Sequence, residues 1–191
     1  MNKKGLLIVV AGPAGCGKSS VLKLLTGMQP NLRFSVSVTT RERRHDEING
    51  KHYWFIDGTE FDRMVRENLL LEYAGYADHR YGTPKKEVEE LRAAGRDVYL
   101  DIEVQGAKIV REKCPDALLI FLMPPSMEEL ERRLRGRGTE TEDSIAKRMA
   151  RAVVECSLSD RFDHIVVNDT VERAAEEISA LIDRKRAEST D

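Results

Sequence analysis

Apolar residues along the chain fall into short unbroken runs separated by amphipathic stretches. Residues 6–10 (Leu-Leu-Ile-Val-Val) and 117–123 are such runs, Asp97 to Asp101 encloses a shorter one, and residues 164–167 are read as the last strand. Each has the length of a strand, and unbroken apolar character marks a strand covered on both faces. Helical spacing lies between them. Residues 20–26 predict a helix with Val21, Leu22, Leu24 and Leu25 inward, and residues 59–68 a second. Pro84 suits the first turn of a helix running to about residue 94, with Thr83 as its cap and Gly95 as its end. Another helix follows 97–101 and reaches about residue 113. Ser126-Met127-Glu128-Glu129 has the spacing of a capping box, in which hydroxyl and carboxylate each satisfy an orphan backbone donor. Helices over about 143–158 and 170–186 complete the set, with a Gly-rich charged loop over 135–142.

Strand and helix mostly alternate, which predicts an α/β fold with a doubly wound parallel sheet. Residues 34–83 depart from the alternation. Strands are predicted there over 34–38, 52–56, 69–76 and 79–82, around a polar stretch, 39–51, that ends in the turn signal Asn49-Gly50. That composition describes a lobe inserted into the core.

A chain of 191 residues suits a single domain with a full core. With 41% hydrophobic and 34% charged residues it belongs with soluble globular proteins. A formal net charge of -2 argues against a general nucleic-acid binder. Cys16, Cys114 and Cys156 are far apart and contain no CxxC pair, so neither a zinc site nor a disulfide framework is expected, and the reading is cytoplasmic. The run 6–11 is too short for a secretory signal or a membrane span.

Gly12-Pro13-Ala14-Gly15-Cys16-Gly17-Lys18-Ser19 fits G-x-x-x-x-G-K-[ST] in full, between a predicted buried strand and a predicted helix. Glycines let backbone N–H groups turn inward around phosphate oxygens, and the helix N-terminus adds partial positive charge. Lys18 reaches the β- and γ-phosphates, and the Ser19 hydroxyl suits Mg²⁺. Cys16 fills a variable position, read as a small residue in a tight loop. The motif implies a purine nucleotide and phosphoryl transfer or hydrolysis, and leaves the acceptor open. The acceptor must be read from the lobe, where Ser35-Val36-Ser37-Val38-Thr39-Thr40-Arg41-Glu42-Arg43-Arg44 gathers hydroxyls and guanidiniums. A guanidinium fork pairs with two phosphate oxygens at once.

Several separated motifs occur in a fixed order: the phosphate loop, Ser-Val-Ser-x-Thr-Thr-Arg, Glu47-Ile48-Asn49-Gly50-Lys51-x-Tyr53, Leu71-Glu72-Tyr73-Ala74, Tyr81-Gly82-Thr83, Asp101-Ile102-Glu103-Val104-Gln105-Gly106, Pro124-Pro125-Ser126, residues 135–142, and Val167-Asn168-Asp169. In these the chain, over residues 5–186, resembles the guanylate kinases, P-loop nucleoside monophosphate kinases. The resemblance implies one domain over 1–191. Its core is about 1–33, 84–126 and 159–191, its GMP-binding lobe about 34–83, and its ATP-side lid about 127–158. It implies that Gly12 to Ser20 hold ATP, with Asn168 near the adenine. Arg41, Arg44, Tyr53 and Tyr81 would grip the GMP phosphate with Glu47 in support, while Ser37, Glu72, Thr83 and Glu103 surround the guanine. Arg133, Arg137 and Arg148 would join Lys18 and Arg41 in neutralising the transferring phosphoryl.

Guanine presents N1–H and N2–H₂ donors, and an ionised carboxylate such as Glu72 accepts from both; adenine has no such pair. Three readings of Asp101 stand: a Mg²⁺ ligand through water, a contact to the acceptor phosphate, or a helix cap before Ile102. The implied partners are ATP with Mg²⁺, and GMP and dGMP as acceptors, with no nucleic acid or membrane, in a monomer or homodimer. Two alternatives are a related kinase with another acceptor, such as a ribose bisphosphate, and a non-catalytic binding module. The intact guanine set argues against the first, and Lys18 with Ser19 against the second. The family's Arg-x-Pro-Arg-Pro-Gly-Glu reads Arg41-Glu42-Arg43-Arg44-His45-Asp46-Glu47 here, which predicts a less stiff loop. Arg80 also replaces the first tyrosine of a frequent Tyr-Tyr-Gly.

Overall fold

Strands β1 (Leu7–Ala11), β7 (Asp97–Asp101), β8 (Leu118–Met123) and β9 (His164–Val167) form where the apolar runs lie. The computed structural model describes residues 4–76, 78–136 and 141–188. With β2 (Leu32–Phe34), these strands make a sheet in the order β2-β7-β1-β8-β9. The pairs β2–β7, β1–β8 and β8–β9 run parallel. Leu7 to Ala11 and Leu118 to Leu122 are buried throughout, as strands covered on both faces must be.

The chain divides into two compact units, residues 1–7 with 31–117, and residues 8–30 with 118–191. The division falls inside β1, after Leu7.

The first unit holds β2, β7 and a second sheet of order β4-β3-β6-β5, built from β3 (Val38–Thr39), β4 (Trp54–Phe55), β5 (Leu70–Tyr76) and β6 (His79–Pro84). β5 and β6 pair antiparallel, with Glu72 opposite Thr83. Helix α2 (Gly58–Arg66) buries Phe61 against Val38 and Leu70, with Ile56, Met64 and Val65 around them. Helix α3 (Lys85–Ala93) packs on β7, and α4 (Val104–Lys113) on β5. Asp97 is buried, and its Oδ1 accepts from the backbone N–H of Leu6 at 2.7 Å. Asp97→Ala strands that N–H, and a loss of about 1–3 kcal/mol is expected in urea unfolding.

The second unit holds the rest of β1, β8, β9, α1 (Lys18–Met28), α5 (Met127–Arg135), α6 (Glu142–Cys156) and α7 (Val171–Glu188). Helix α1 packs on α7, and α5 on α6. Gln29, just past α1, donates through Nε2 to Ser179 Oγ and Asp183 Oδ1 of α7.

Four local expectations need correction. The strand predicted over 34–38 is two: β2 ends at Phe34, β3 starts at Val38, and the chain changes sheet across buried Ser35 and Ser37. Leu24 is 37% exposed rather than inward. It lies about 100° around α1 from the face set by Val21, Leu22 and Leu25. Thr83 is a strand residue of β6; Pro84 caps α3 and supplies no side-chain bond. Half of the capping box forms, with Ser126 Oγ accepting from Glu129 N–H, while the Glu129 carboxylate is taken by Arg132 and Arg133.

Candidate active site

In the second unit the turn from β1 to α1 is closed by the Cys16 N–H donating to Pro13 O at 3.1 Å. Gly17 has φ 94° and caps α1; at that φ a Cβ is strained, and here it would also overlap Asn168 Nδ2. Asn168 follows β9 and is 2% exposed. Its Nδ2 donates to Cys16 O at 2.7 Å, and Arg133 Nη1 donates to the same carbonyl at 3.3 Å. In a trans peptide the C=O and the next N–H point opposite ways, so fixing Cys16 O fixes the direction of the Gly17 N–H. Such oriented amides are what an anion-binding loop is made of.

Lys18 Nζ donates to Gly12 O at 2.6 Å. Ser19 and Ser20 are exposed on the first turn of α1. Gly12 and Pro13 are buried, Ala14 and Gly15 half-buried, and the Cys16 side chain is buried, as its reading as a small loop residue requires. Arg133 also donates through Nε to Glu129 Oε1 at 2.8 Å and through Nη2 to Asn168 O at 3.0 Å. Hydrogen bonds from Arg132 and then Arg133 lower the Glu129 carboxyl to about 2, so Glu129 stays ionised and holds Arg133. Arg148 is half-buried on α6. Arg137 lies outside the described residues.

The first unit gathers two further groups. Arg41 and Glu47 pair at 2.5 Å, each side chain 13% exposed. The Arg41 guanidinium lies 5.6 Å from the ring centres of both Tyr53 and Phe55, and Tyr81 is a further hydrogen-bond partner. Tyr53 and Tyr81 meet edge to face at 5.7 Å. The Arg41 bond holds the Glu47 carboxyl below its usual range. Arg44 enters through its backbone N–H, which donates to Glu47 Oε2 at 2.8 Å. Burial and the nearby Asp101 charge push Tyr53 up to about 12, so its hydroxyl keeps its proton.

The second group centres on Glu72, which is 3% exposed. Thr83 Oγ1 donates to Glu72 Oε1 at 2.6 Å. Burial pushes the carboxyl up to about 7, against the Thr83 bonds and the charge of Lys113. Ser37 is buried just before β3. Asp101 ends β7, and Glu103 stands at the N-cap of α4 without a side-chain cap bond. The cap position before α4 thus falls to Glu103 rather than Asp101.

Within the first unit, then, Arg41, Glu47, Tyr53 and Tyr81 form one cluster, and Glu72 and Thr83 another. Within the second, the phosphate loop, Arg133 and Asn168 are tied together. Sequence reasoning missed that Arg133 and Asn168 share the Cys16 carbonyl. A contact to a backbone oxygen leaves no residue pattern to read.

The guanylate kinase family model matches residues 4–185. The chain belongs to the guanylate kinase family. Guanylate kinase of Rubrobacter xylanophilus is 48% identical over 182 residues, covering 95% of this chain and 95% of that protein. Guanylate kinase of Lactiplantibacillus plantarum is 47% identical over 187 residues, 97% of this chain and 91% of that one. The crystal structure of guanylate kinase from Anaplasma phagocytophilum superposes with a TM-score of 0.79 at 33% identity, covering 99% of this chain and 88% of that one. Membership agrees with the mixed α/β fold and parallel sheet. Among the described residues no helix is long and apolar enough to cross a membrane.

Proposed function

We propose that this protein moves the γ-phosphoryl group of ATP onto GMP, giving ADP and GDP, and that dGMP serves as a second acceptor. The observation that carries the reading is the buried carboxylate of Glu72, kept by the Thr83 hydroxyl in the same unit as the Arg41–Glu47–tyrosine cluster. A carboxylate out of water is costly without donors. Guanine N1–H and N2–H₂ supply two, and the arginine and tyrosines suit a phosphate monoester.

On the ATP side the amides of Gly12 to Gly17, Lys18 and the first turn of α1 would bind the phosphates, with Ser20 beside Ser19. Asn168 Oδ1 is buried with no partner among the described residues, which suits an acceptor for an adenine amine. The GMP phosphate is already an anionic nucleophile, so in-line transfer needs no general base. Catalysis is then positioning and charge neutralisation, with Lys18, Arg41, Arg133, Arg137 and Arg148 as the cations. Arg44 would join Arg41 on the acceptor phosphate, with Ser37 and Glu103 beside the base.

Mg²⁺ fits the donor set. The Ser19 hydroxyl and the Asp101 carboxylate would each offer a hard oxygen, the donor type that Mg²⁺ takes alongside substrate phosphates. When bound, it neutralises charge on the β- and γ-oxygens.

Offering MgATP with GMP, dGMP, AMP, CMP, UMP or ribose bisphosphate, and following ADP release, tests the assignment. Turnover with GMP and dGMP is expected; preference for AMP, or no turnover with any acceptor, would overturn it.

A pH dependence follows as well. Only the ionised Glu72 accepts from both guanine donors with both oxygens, and burial pushes its carboxyl up to about 7. Raising pH through that value should tighten GMP binding. KM for GMP is expected to be flat above about pH 8 and to rise toward tenfold per pH unit well below 7. The Glu72→Gln variant should keep only the change from GMP's own phosphate, near about pH 6. An equal pH slope in the two proteins would contradict the role.

A further inference from the structure

Gly106 sits in the first half of α4, buried, where α4 packs on β5. Its φ is not positive, so its backbone asks for no glycine. Glycine is also among the poorest helix formers. What explains it is space. A Cβ at Gly106 would overlap Glu72 Oε2 and come within 3.1 Å of Glu72 Cδ and 3.2 Å of Ile102 Cδ1. The other carboxylate oxygen is engaged by Thr83. The carboxylate is therefore bounded on one side by a hydroxyl and on the other by a helix without a side chain.

We infer that Gly106 is the positioning residue for guanine recognition: its missing side chain leaves the place in which the Glu72 carboxylate is set to meet the base. The inference rests on the reading of Glu72 proposed above. The overlapping atom is the far end of a flexible side chain rather than backbone. A methyl group there can be accommodated by swinging the carboxylate away, which spares the fold and spoils the geometry of recognition.

Gly106→Ala should therefore raise KM for GMP about tenfold or more. KM for ATP and kcat at saturating GMP should stay within about twofold. The ratio of kcat/KM for GMP to that for IMP, which lacks the N2 amine, should fall toward one, a change that loosened packing alone would not produce. In a Glu72→Asp background the carboxylate is shorter by one methylene. Adding Gly106→Ala there should cost less than about threefold in KM for GMP, a non-additivity that marks contact.

A tenfold cost in that background overturns the inference, and this comparison stands even if Gly106→Ala alone fails to fold. So does a folded Gly106→Ala protein with unchanged KM for GMP and an unchanged GMP/IMP ratio, or with KM for ATP rising in parallel. Absence of GMP turnover by the unsubstituted protein would instead refute the assignment of GMP as acceptor, so the two failures are distinguishable.

Discussion

Lys18→Ala should lower kcat for GMP phosphorylation by on the order of 10³-fold, while thermal unfolding stays within a few degrees of the parent protein. The ammonium is the side-chain charge of the phosphate loop. In the structure it donates to Gly12 O, a part-buried contact. Three further bonds hold the loop: the Cys16 N–H on Pro13 O, and Asn168 and Arg133 on Cys16 O. None of these involves Lys18, so removing its side chain leaves the loop's shape in place and deletes charge. Single-turnover kinetics with saturating MgATP and GMP measure the loss, and calorimetry measures the melt. A fall of tenfold or less would mean that Lys18 does not meet the transferring group.

Glu72→Gln carries the second large effect, and its two parts have opposite signs. Gln has the same outline, and its oxygen can still accept from Thr83. Its second terminal atom is a donor, which meets guanine's donors head on. A loss of about 10²–10⁴ in kcat/KM for GMP is expected, with KM for ATP unchanged, because a mispaired buried polar group discriminates strongly. Stability should move the other way. A carboxyl raised from 4.5 to about 7 by folding contributes stability below pH 4.5 that is lost as pH rises through 7. Above that pH the ionised group destabilises the protein free of nucleotide, by about 3 kcal/mol at most. Gln removes that cost, so the variant should melt higher at pH 8 and lose the advantage at pH 4. A variant that is weaker on GMP but no more stable at pH 8 would mean that the carboxylate was already paid for by its neighbours.

The parts of this molecule legible in the sequence are those whose cause is local. The run from Leu7 to Ala11 is apolar because both faces are covered, and the glycines after it announce the turn. Asp101 and Glu72 could be assigned to strand ends and strands from their flanks alone. The breaks came where tertiary contacts outvote local pattern. Residues 34–38 look like one strand, yet Ser35 and Ser37 let the chain cross from one sheet to the other. Thr83 has the chemistry of a cap, but its hydroxyl serves Glu72 eleven residues earlier. Glu129 has the spacing of a capping box, but two arginines outbid a backbone donor. Gly106 belongs to a motif that was visible, while its reason, an oxygen on another element, was not.

The loop over residues 41–47 contains no proline and is stitched by its own charges. Glu47 ties Arg41 to the Arg44 amide, Arg41 also reaches Glu42 O, and Arg43 reaches Glu47 O. Ring stiffness is indifferent to dissolved electrolyte; ionic stitching is not. The half-sheltered Arg41 knot would outlast the solvent-facing Arg43 one as ions accumulate, so brine should undo this segment from its outer edge inward.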